Sequence, residues 1–207
     1  MPARDTAAGG PDTGSRNIPS EGGASTGRGF GAAQGARRRG LPPVLARDTR
    51  VLILGSFPGE ASLAAKQYYA HPRNHFWPLV GAILDAPLTG LSYRERLTML
   101  RAHGVGLWDA IIACERKGSL DGAIRNAERG DISRVHRAAP GLTLVCFNGK
   151  TAARSEAAWR EAGFETLALP SSSPAFTRSF AEKLAAWRAI RDFLRYDARF
   201  DLRRPKS

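Results

Sequence analysis

The sequence predicts an α/β fold: a three-layer α/β/α sandwich around a central, mostly parallel four-stranded sheet. Two short apolar runs, residues 51–54 and 142–147, lack the alternation of a half-exposed strand. This pattern is typical of strands that are covered on both faces, as in parallel sheets. Segments with helical character separate the predicted strands, and this order favours helices on both faces of the sheet.

The elements between these strands follow from local patterns. Residues 60–66 and 75–84 are predicted helices on either side of a loop, and the second has apolar residues at helical spacing. Ser92 is predicted to cap a helix that runs through Arg101, because Glu95 lies three residues later and completes a capping box. The remaining predicted elements are a strand at 105–108, an exposed loop at 115–118, short helices from 119 and from 131, a helix at 151–162, a strand at 164–169 and a closing helix at 178–194.

The two ends of the chain differ in composition from the middle. Residues 1–40 are rich in Gly, Ser, Thr, Ala and Arg and have almost no large apolar residues. Such a segment buries too little surface to offset its ordering entropy, so it is predicted to be a disordered basic tail. Residues 41–196 are the predicted folded domain, and residues 197–207 are a predicted basic C-terminal tail.

The charge of the chain favours a polyanionic partner. The formal net charge is +12, from 31 Lys and Arg against 19 Asp and Glu. Basic side chains displace counterions from phosphate backbones, although charge alone does not separate DNA, RNA and an anionic membrane surface. No apolar run approaches the roughly 20 residues that span a bilayer, and no apolar segment at the N-terminus indicates a signal peptide. We therefore expect a cytoplasmic, bacterial, nucleoid-associated monomer with no membrane partner.

The cysteines and histidines predict neither a metal site nor a cofactor. Cys114 and Cys146 lie in apolar stretches and are predicted to be buried free thiols. Two cysteines are too few for a disulfide framework or for the four ligands of an ordinary iron–sulfur cluster. His71 and His75 have the spacing of a helical metal site, but Pro72 disrupts a helix between them.

Three loops are predicted to meet at one edge of the sheet. Residues 55–59, 148–150 and 170–175 each follow a predicted strand, and open α/β sheets bind ligands at the carboxyl ends of their strands. Residues 67–77 then mix polar donors with aromatic rings. A pocket that stacks a flat ring and reads its edge by hydrogen bonds needs this mixture.

These segments resemble the uracil-DNA glycosylase superfamily. Gly-Ser-Phe-Pro-Gly at residues 55–59 and His-Pro-Arg-Asn-His-Phe-Trp at residues 71–77 are most similar to the hypoxanthine-DNA (deoxyinosine) glycosylase branch, and next to the mismatch-specific uracil/thymine glycosylases. The resemblance continues through residues 104–109, 147–150 and 169–175. It implies an enzyme of base excision repair that extrudes a deaminated base from double- or single-stranded DNA and hydrolyses its N-glycosidic bond.

The resemblance also implies roles for individual residues. In the deoxyinosine branch the Asn of this motif is thought to be catalytic, so Asn74 is the expected residue that orients water; Asp109 is the reserve carboxylate. Phe76 is expected to stack on the base, as the Phe of the motif does in relatives. Asn148 ends a strand before a Gly turn, and its amide can both donate to and accept from the lactam edge of hypoxanthine or uracil. We count Asn148 among both the catalytic and the base-binding residues.

The other expected contacts surround these residues. Phe57, Gln67, Tyr68 and Tyr69 are expected to wall the base pocket. Phe57 stands where mismatch-specific relatives have Asn, and the loop at 171–175 lacks the His of uracil-specific members, so the pattern leans toward hypoxanthine. The expected DNA-binding residues are Lys150, Ser171, Ser172, Ser173, Pro174, Ala175 and Arg178, with Ala175 or Phe176 as a wedge in the duplex.

Several alternatives remain open from the sequence. Uracil or mismatched thymine could be the preferred base. A non-catalytic nucleic-acid-binding module on the same fold is a further alternative. It is suggested by Phe57, which replaces the Asn of the first motif in mismatch-specific relatives, and by the absence of the loop His. A small-molecule α/β hydrolase or a nucleotide-binding protein is disfavoured, since neither a Gly-x-Ser-x-Gly elbow nor a Gly-x-Gly-x-x-Gly loop occurs.

Overall fold

The computed structural model describes residues 36–194. The strands and helices are, in chain order, β1 (Arg37–Arg39), β2 (Val51–Gly55), α1 (Glu60–Ala65), α2 (Phe76–Leu84), α3 (Tyr93–Ala102), β3 (Val105–Asp109), β4 (Ile111–Glu115), β5 (Arg125–Arg129), α4 (Ile132–Ala138), β6 (Leu144–Asn148), α5 (Lys150–Ala153), α6 (Glu156–Glu161), β7 (Glu165–Leu169) and α7 (Phe180–Trp187). None of the helices within this range is long and apolar enough to cross a membrane.

The central sheet has four strands in the order β3-β2-β6-β7, and every neighbouring pair is parallel. Its two middle strands, β2 and β6, are buried along their whole length. The prediction of a mostly parallel four-stranded sheet is confirmed, because both non-alternating apolar runs form these middle strands.

Helices cover both faces of the sheet, so the three-layer prediction is also confirmed. Successive side chains of β2 point to opposite faces: Ile53 packs in one core cluster, and Leu52 and Leu54 pack in another. The first cluster contains residues of α2, α3 and α7, and the second contains residues of α4, α5 and α6. The predicted capping box of α3 is present, since Ser92 and Glu95 each bond the other's backbone N–H.

A second, antiparallel sheet in the order β1-β4-β5 was not predicted. Strand β1 lies inside the segment expected to be a disordered tail, so ordered structure begins before the predicted boundary at residue 40; residues 1–35 lie outside the described range. Strand β5 is exposed at every position and carries no apolar signal. The predicted loop at 115–118 is corrected too, because Glu115 ends β4 and Arg116 is buried.

Two predicted helices are shorter than expected. The helix predicted at 151–162 is divided into α5 and α6 at Ser155, whose hydroxyl donates a 2.8 Å hydrogen bond to the Ala152 carbonyl. The helix predicted from 178 begins after Ser179, which forms a capping box with Glu182. This cap fixes the point where the loop after β7 turns into α7.

Candidate active site

A cavity of about 320 Å³ lies at the carboxyl ends of the central strands. The loops after β2, β6 and β7 line it together, as predicted, and the last residue of β3, Asp109, lines it as well. The predicted site residues at this cavity are Phe57, Tyr68, Asn74, Asn148, Lys150, Ser171, Ser172, Ser173, Pro174 and Ala175. Gln67, Phe76 and Arg178 do not line it, and their expected contacts with base or DNA find no support in this geometry.

The aromatic ring that faces the cavity is Tyr69, and Phe76 lies behind it. Phe76 is fully buried and belongs to the core beneath the sheet's edge. The Tyr69 ring stacks on it with centroids 3.7 Å apart and planes 8° apart, so one face of Tyr69 is covered and the other is left for a ligand. Phe76 does not line the cavity, so its expected stacking on the base stays a prediction that this geometry does not support.

Tyr69 also has an unusual backbone conformation. Its φ is 55°, in the left-handed region that bulky residues rarely adopt. Strain of this kind persists only where the surroundings impose it, and it concentrates at functional sites. Burial and the charge of Asp109 raise the pKa of Tyr69 well above its usual range, while the Asn148 side chain acts in the opposite direction.

Tyr68 and Phe57 form the outer walls of the cavity but are held by the protein itself. The Tyr68 hydroxyl donates to the carbonyls of Leu41 and Pro42 at 3.3 and 3.2 Å. Phe57 is buried beneath the guanidinium of Arg116, whose Cζ lies 4.8 Å from the ring centroid. Both residues line the cavity as predicted, although mainly as fixed structural walls.

Asn74 lies half-buried in the loop before α2. Its side-chain oxygen accepts a 3.0 Å hydrogen bond from the Phe76 backbone N–H, and its backbone N–H donates to the His71 carbonyl at 2.9 Å. A backbone N–H only donates, so the atom that faces Phe76 is the amide oxygen. Asn74 thus orders the loop, and the same bond fixes its amide beside the cavity.

Asn148 is held by Ser172. The Ser172 N–H donates to Asn148 Oδ1, and Asn148 Nδ2 donates to Ser172 Oγ, each at 2.8 Å. Ser172 uses one N–H of the amide and one lone pair of its oxygen, and the Asn148 side chain also lies close enough to Tyr69 to lower the pKa of that hydroxyl. Ser172 is fully buried, so its predicted role as a DNA contact is corrected: it orients Asn148 instead.

The loop after β7 is anchored from below. Lys183, a buried residue of α7, donates from Nζ to the Ser173 carbonyl at 3.2 Å, and the Trp187 indole donates to the Pro170 carbonyl at 2.9 Å. The His75 N–H also donates to the Ser172 carbonyl at 3.0 Å, which joins this loop to the segment of Asn74. The two halves of the cavity wall are therefore connected through the backbone.

Asp109 is the buried carboxyl group of the site. It is 4% exposed, and within residues 36–194 its Oδ2 is buried without a hydrogen-bond partner. Burial, followed by the nearby charge of Asp121, raises the pKa of Asp109 to about 8, against the opposing effects of Arg116 and Tyr68. At neutral pH Asp109 is therefore mainly protonated and able to donate a hydrogen bond.

The glycine at the end of β2 is required by this carboxyl group. An ideal Cβ on Gly55 would lie 2.5 Å from Asp109 Oδ1 and 3.2 Å from the Tyr69 hydroxyl. No larger side chain fits without displacing these groups. The first Gly of the motif thus makes room for the polar end of the cavity.

The segment after β4 contributes residues that the sequence did not reveal. Ser119, Leu120 and Asp121 line the cavity, and the Ser56 hydroxyl donates to Asp121 Oδ1 at 2.8 Å. Arg116 donates from Nη2 to the Pro58 carbonyl. A charged run after an apolar strand usually indicates an exposed loop, so nothing in the local pattern reveals this packing.

The cysteines and the acidic residues form no metal centre in the described part of the chain. Cys114 and Cys146 are buried free thiols, which confirms that prediction. Within residues 36–194 no group of three or more His, Cys, Asp or Glu side chains is placed to hold a metal ion.

Comparison with known proteins identifies the family. Residues 42–195 match the model of the uracil DNA glycosylase superfamily. The chain is similar to the hypoxanthine DNA glycosylase of Methanosarcina barkeri, at 41% identity over 151 residues that cover 73% of this chain and 96% of that protein. It is also similar to the hypoxanthine DNA glycosylase of Methanosarcina acetivorans, at 40% identity over 153 residues that cover 74% and 97%.

A solved structure has the same fold. The solution NMR structure of a Methanosarcina acetivorans protein, described as a candidate uracil DNA glycosylase, aligns with a TM-score of 0.70 at 39% sequence identity. The alignment covers 77% of this chain and 99% of that one. The matched family model spans nearly all the residues that form the sheet, the helices and the cavity. The chain belongs to the uracil DNA glycosylase superfamily.

Proposed function

We propose that this protein is a monofunctional DNA glycosylase of base excision repair that hydrolyses the N-glycosidic bond of deaminated bases, with deoxyinosine preferred. The observation that carries the proposal is that one face of the Tyr69 ring and the oriented amide of Asn148 meet in a single cavity. The names of the two Methanosarcina relatives support hypoxanthine as the base.

Base recognition would combine stacking on the ring of the base with a hydrogen bond to its lactam edge. A base in a duplex must be extruded before its glycosidic bond is accessible. The extruded base would stack on the open face of Tyr69, because the other face is already covered by Phe76. The remaining N–H of Asn148 would donate to the lactam oxygen, which hypoxanthine and uracil share.

The chemistry needs a placed water and a stabilised leaving group. In the step that we propose, the bond between C1′ and the base breaks, and the base takes the electron pair and receives the Asp109 proton. The water oxygen bonds to C1′, its proton passes to solvent, and solvent reprotonates Asp109. The fixed amide oxygen of Asn74 would orient this water. Asp109 would serve as the donor to the departing base, because a protonated carboxyl group cannot also act as the base toward water.

The direct test is base release under single-turnover conditions. Matched duplexes and single strands carrying deoxyinosine, deoxyuridine or deoxyxanthosine would be incubated with excess protein, and the free base would be quantified. An oligonucleotide with deoxyguanosine at the same position is the control. We expect hypoxanthine and an intact abasic strand; release of none of the three bases would refute the proposal.

One observation favours a second candidate function. The structural neighbour from Methanosarcina acetivorans is described as a candidate uracil DNA glycosylase, and the second Asn148 N–H would also suit the uracil carbonyl. The same panel of substrates separates the two activities by their rates. Monomeric state, strand preference and the cytoplasmic, nucleoid-associated location stay predictions.

A further inference from the structure

Leu120 is an exposed apolar side chain at the mouth of the cavity. It is 68% exposed, the most exposed large hydrophobic residue in the described range, and it lines the cavity. The other exposed large hydrophobic residue, Phe180, is 37% exposed and does not line the cavity. An exposed leucine contributes little burial of its own to folding, and its position at the cavity leaves this side chain available to a bound nucleic acid.

The backbone around Leu120 is held firmly on both sides. Ser119 Oγ accepts a 2.9 Å hydrogen bond from the Glu60 N–H, and Asp121 Oδ1 accepts one of 2.8 Å from the Ser56 hydroxyl. The Leu120 carbonyl accepts from the Ala123 N–H at 3.1 Å. The turn that carries the Leu120 side chain is therefore fixed before a ligand binds. This lowers the entropy cost of placing the side chain against a ligand.

The loop after β7, on the other side of the cavity, has no side chain that is both large enough to fill a gap in the duplex and available to do so. Ala175 has only a methyl group to insert. Phe176 is half-buried, with the Arg178 guanidinium 5.7 Å and the Lys183 ammonium 5.5 Å from its ring centroid. An extruded nucleotide leaves a hole as large as a base in the stack, and proteins that distort DNA commonly fill such gaps with apolar wedges.

We propose that Leu120 inserts into the duplex at the position that the extruded nucleotide leaves, as the wedge that keeps the base in the cavity. This inference rests on the proposed function, since it requires base extrusion. Exposed basic side chains at Lys117 and Arg125 flank the same turn and would contact the phosphates beside the insertion point. Leu120 is a positioning residue that acts only on double-stranded substrate, because a single strand has no partner stack to hold open.

The test compares Leu120→Ala, Leu120→Met and wild type on matched duplex and single-stranded deoxyinosine substrates, with Phe180→Ala as the control truncation of an exposed apolar residue. We expect Leu120→Ala to lower the single-turnover rate on the duplex by about tenfold or more. The single-strand rate should stay within about twofold, and Leu120→Met should retain the duplex rate, because it preserves most of the volume. An unchanged duplex rate, or an equal loss on both substrates, would overturn the inference.

A second measurement does not depend on base release. A duplex with 2-aminopurine beside the deoxyinosine would be saturated with each protein, with binding followed by anisotropy. We expect the fluorescence to rise with wild type, because extrusion unstacks the neighbouring 2-aminopurine, and to stay low with Leu120→Ala. An equal rise in both, or none with wild type, would overturn the role of Leu120. Absence of base release by wild type, with this difference preserved, would refute only the proposed glycosylase activity.

Discussion

Asn148 and Ser172 exchange two hydrogen bonds of 2.8 Å, one to each end of the Asn148 amide. The residues are separated by the whole of α5, α6 and β7, so this pair joins the loops after β6 and β7 across the cavity. The backbone N–H of Ser172 determines which end of the amide carries the oxygen. The Asn148 side chain is therefore oriented before any ligand arrives.

This orientation predicts that two substitutions lower the rate of base release by different amounts. Asn148→Asp keeps an acceptor for the Ser172 N–H, but it replaces the donor toward the base with a negative charge beside a leaving group that also becomes negative. We expect the single-turnover rate of hypoxanthine release to fall by about a hundredfold or more. Ser172→Ala removes one of the two bonds and should lower the rate by less than about tenfold. Equal rates for Asn148→Asp and wild type would exclude the amide as the donor to the base.

The stack of Tyr69 on Phe76 predicts that the two aromatic residues have different functions. Tyr69→Ala should weaken binding of the extruded base by about 1–3 kcal/mol, whereas Tyr69→Phe should retain binding. Phe76→Ala empties a core position and should cost about 3–5 kcal/mol of unfolding free energy. Single-turnover rates across protein concentrations and chemical denaturation would measure these effects. A larger binding defect in Phe76→Ala than in Tyr69→Ala, with both variants folded, would contradict the assignment.

The stacked pair of Tyr69 and Phe76 shows where the sequence is informative. Phe76 begins the apolar repeat of α2, and that repeat already places it on the buried face. Tyr69 is among the residues expected to wall the pocket, but its stack on Phe76 depends on a positive φ in an irregular loop, which no residue pattern marks. The motif resemblance assigns base stacking to Phe76, whereas the helical periodicity already indicates that this ring is buried in the core.

The same distinction applies to the rest of the fold. Buried parallel strands and the Ser92 capping box are specified by neighbouring residues, so the sequence predicts them well. Strand β5 is polar and exposed, and it is defined only by pairing with β4. The burial of Arg116 depends on the distant Pro58 carbonyl and the Phe57 ring. These contacts join residues that are distant in the sequence. Because charged residues are rarely buried, the residues next to Arg116 predict that it is exposed.

The contacts of Asn74 predict that aspartate can replace it better than alanine can. Asn74→Ala removes both the acceptor for the Phe76 N–H and the group that would orient water, so we expect a loss of about a hundredfold or more in base release and a loss of about 1 kcal/mol in stability. Asn74→Asp keeps the acceptor and adds a base, so stability should be preserved and base release should exceed that of the alanine variant. Thermal unfolding and single-turnover rates separate the effects. If Asn74→Ala were as active as wild type, another group would orient the water.

Asp109 predicts a characteristic dependence of stability on pH. Its pKa is about 8 in the folded protein, against an ordinary value of 3.8 for an aspartic acid. Between these values the unfolded state loses the proton and the folded state keeps it, so stability falls as the pH rises from about 4 to about 8. Asp109→Asn removes this dependence. We expect the difference in unfolding free energy, Asp109→Asn minus wild type, to rise between about pH 4 and about pH 8. The rise should be at most about 1.4 kcal/mol per pH unit, and the difference should be constant above about pH 8.

The same carboxyl group predicts a pH profile for the reaction. Burial and the charge of Asp121 disfavour the ionised form of Asp109, and the charge of Arg116 and a hydrogen bond with Tyr68 favour it. The charge of Asp109 in turn raises the pKa values of three nearby tyrosines, Tyr68, Tyr69 and Tyr93. If protonated Asp109 donates to the departing base, wild-type single-turnover rates should fall above about pH 8, as the donor is lost. Asp109→Asn keeps a hydrogen-bond donor but cannot give up a proton to the base, so it should be slower by about a hundredfold at pH 7 and lack this decline. A variant that retains the wild-type decline would assign it to another group, because asparagine at this position does not titrate.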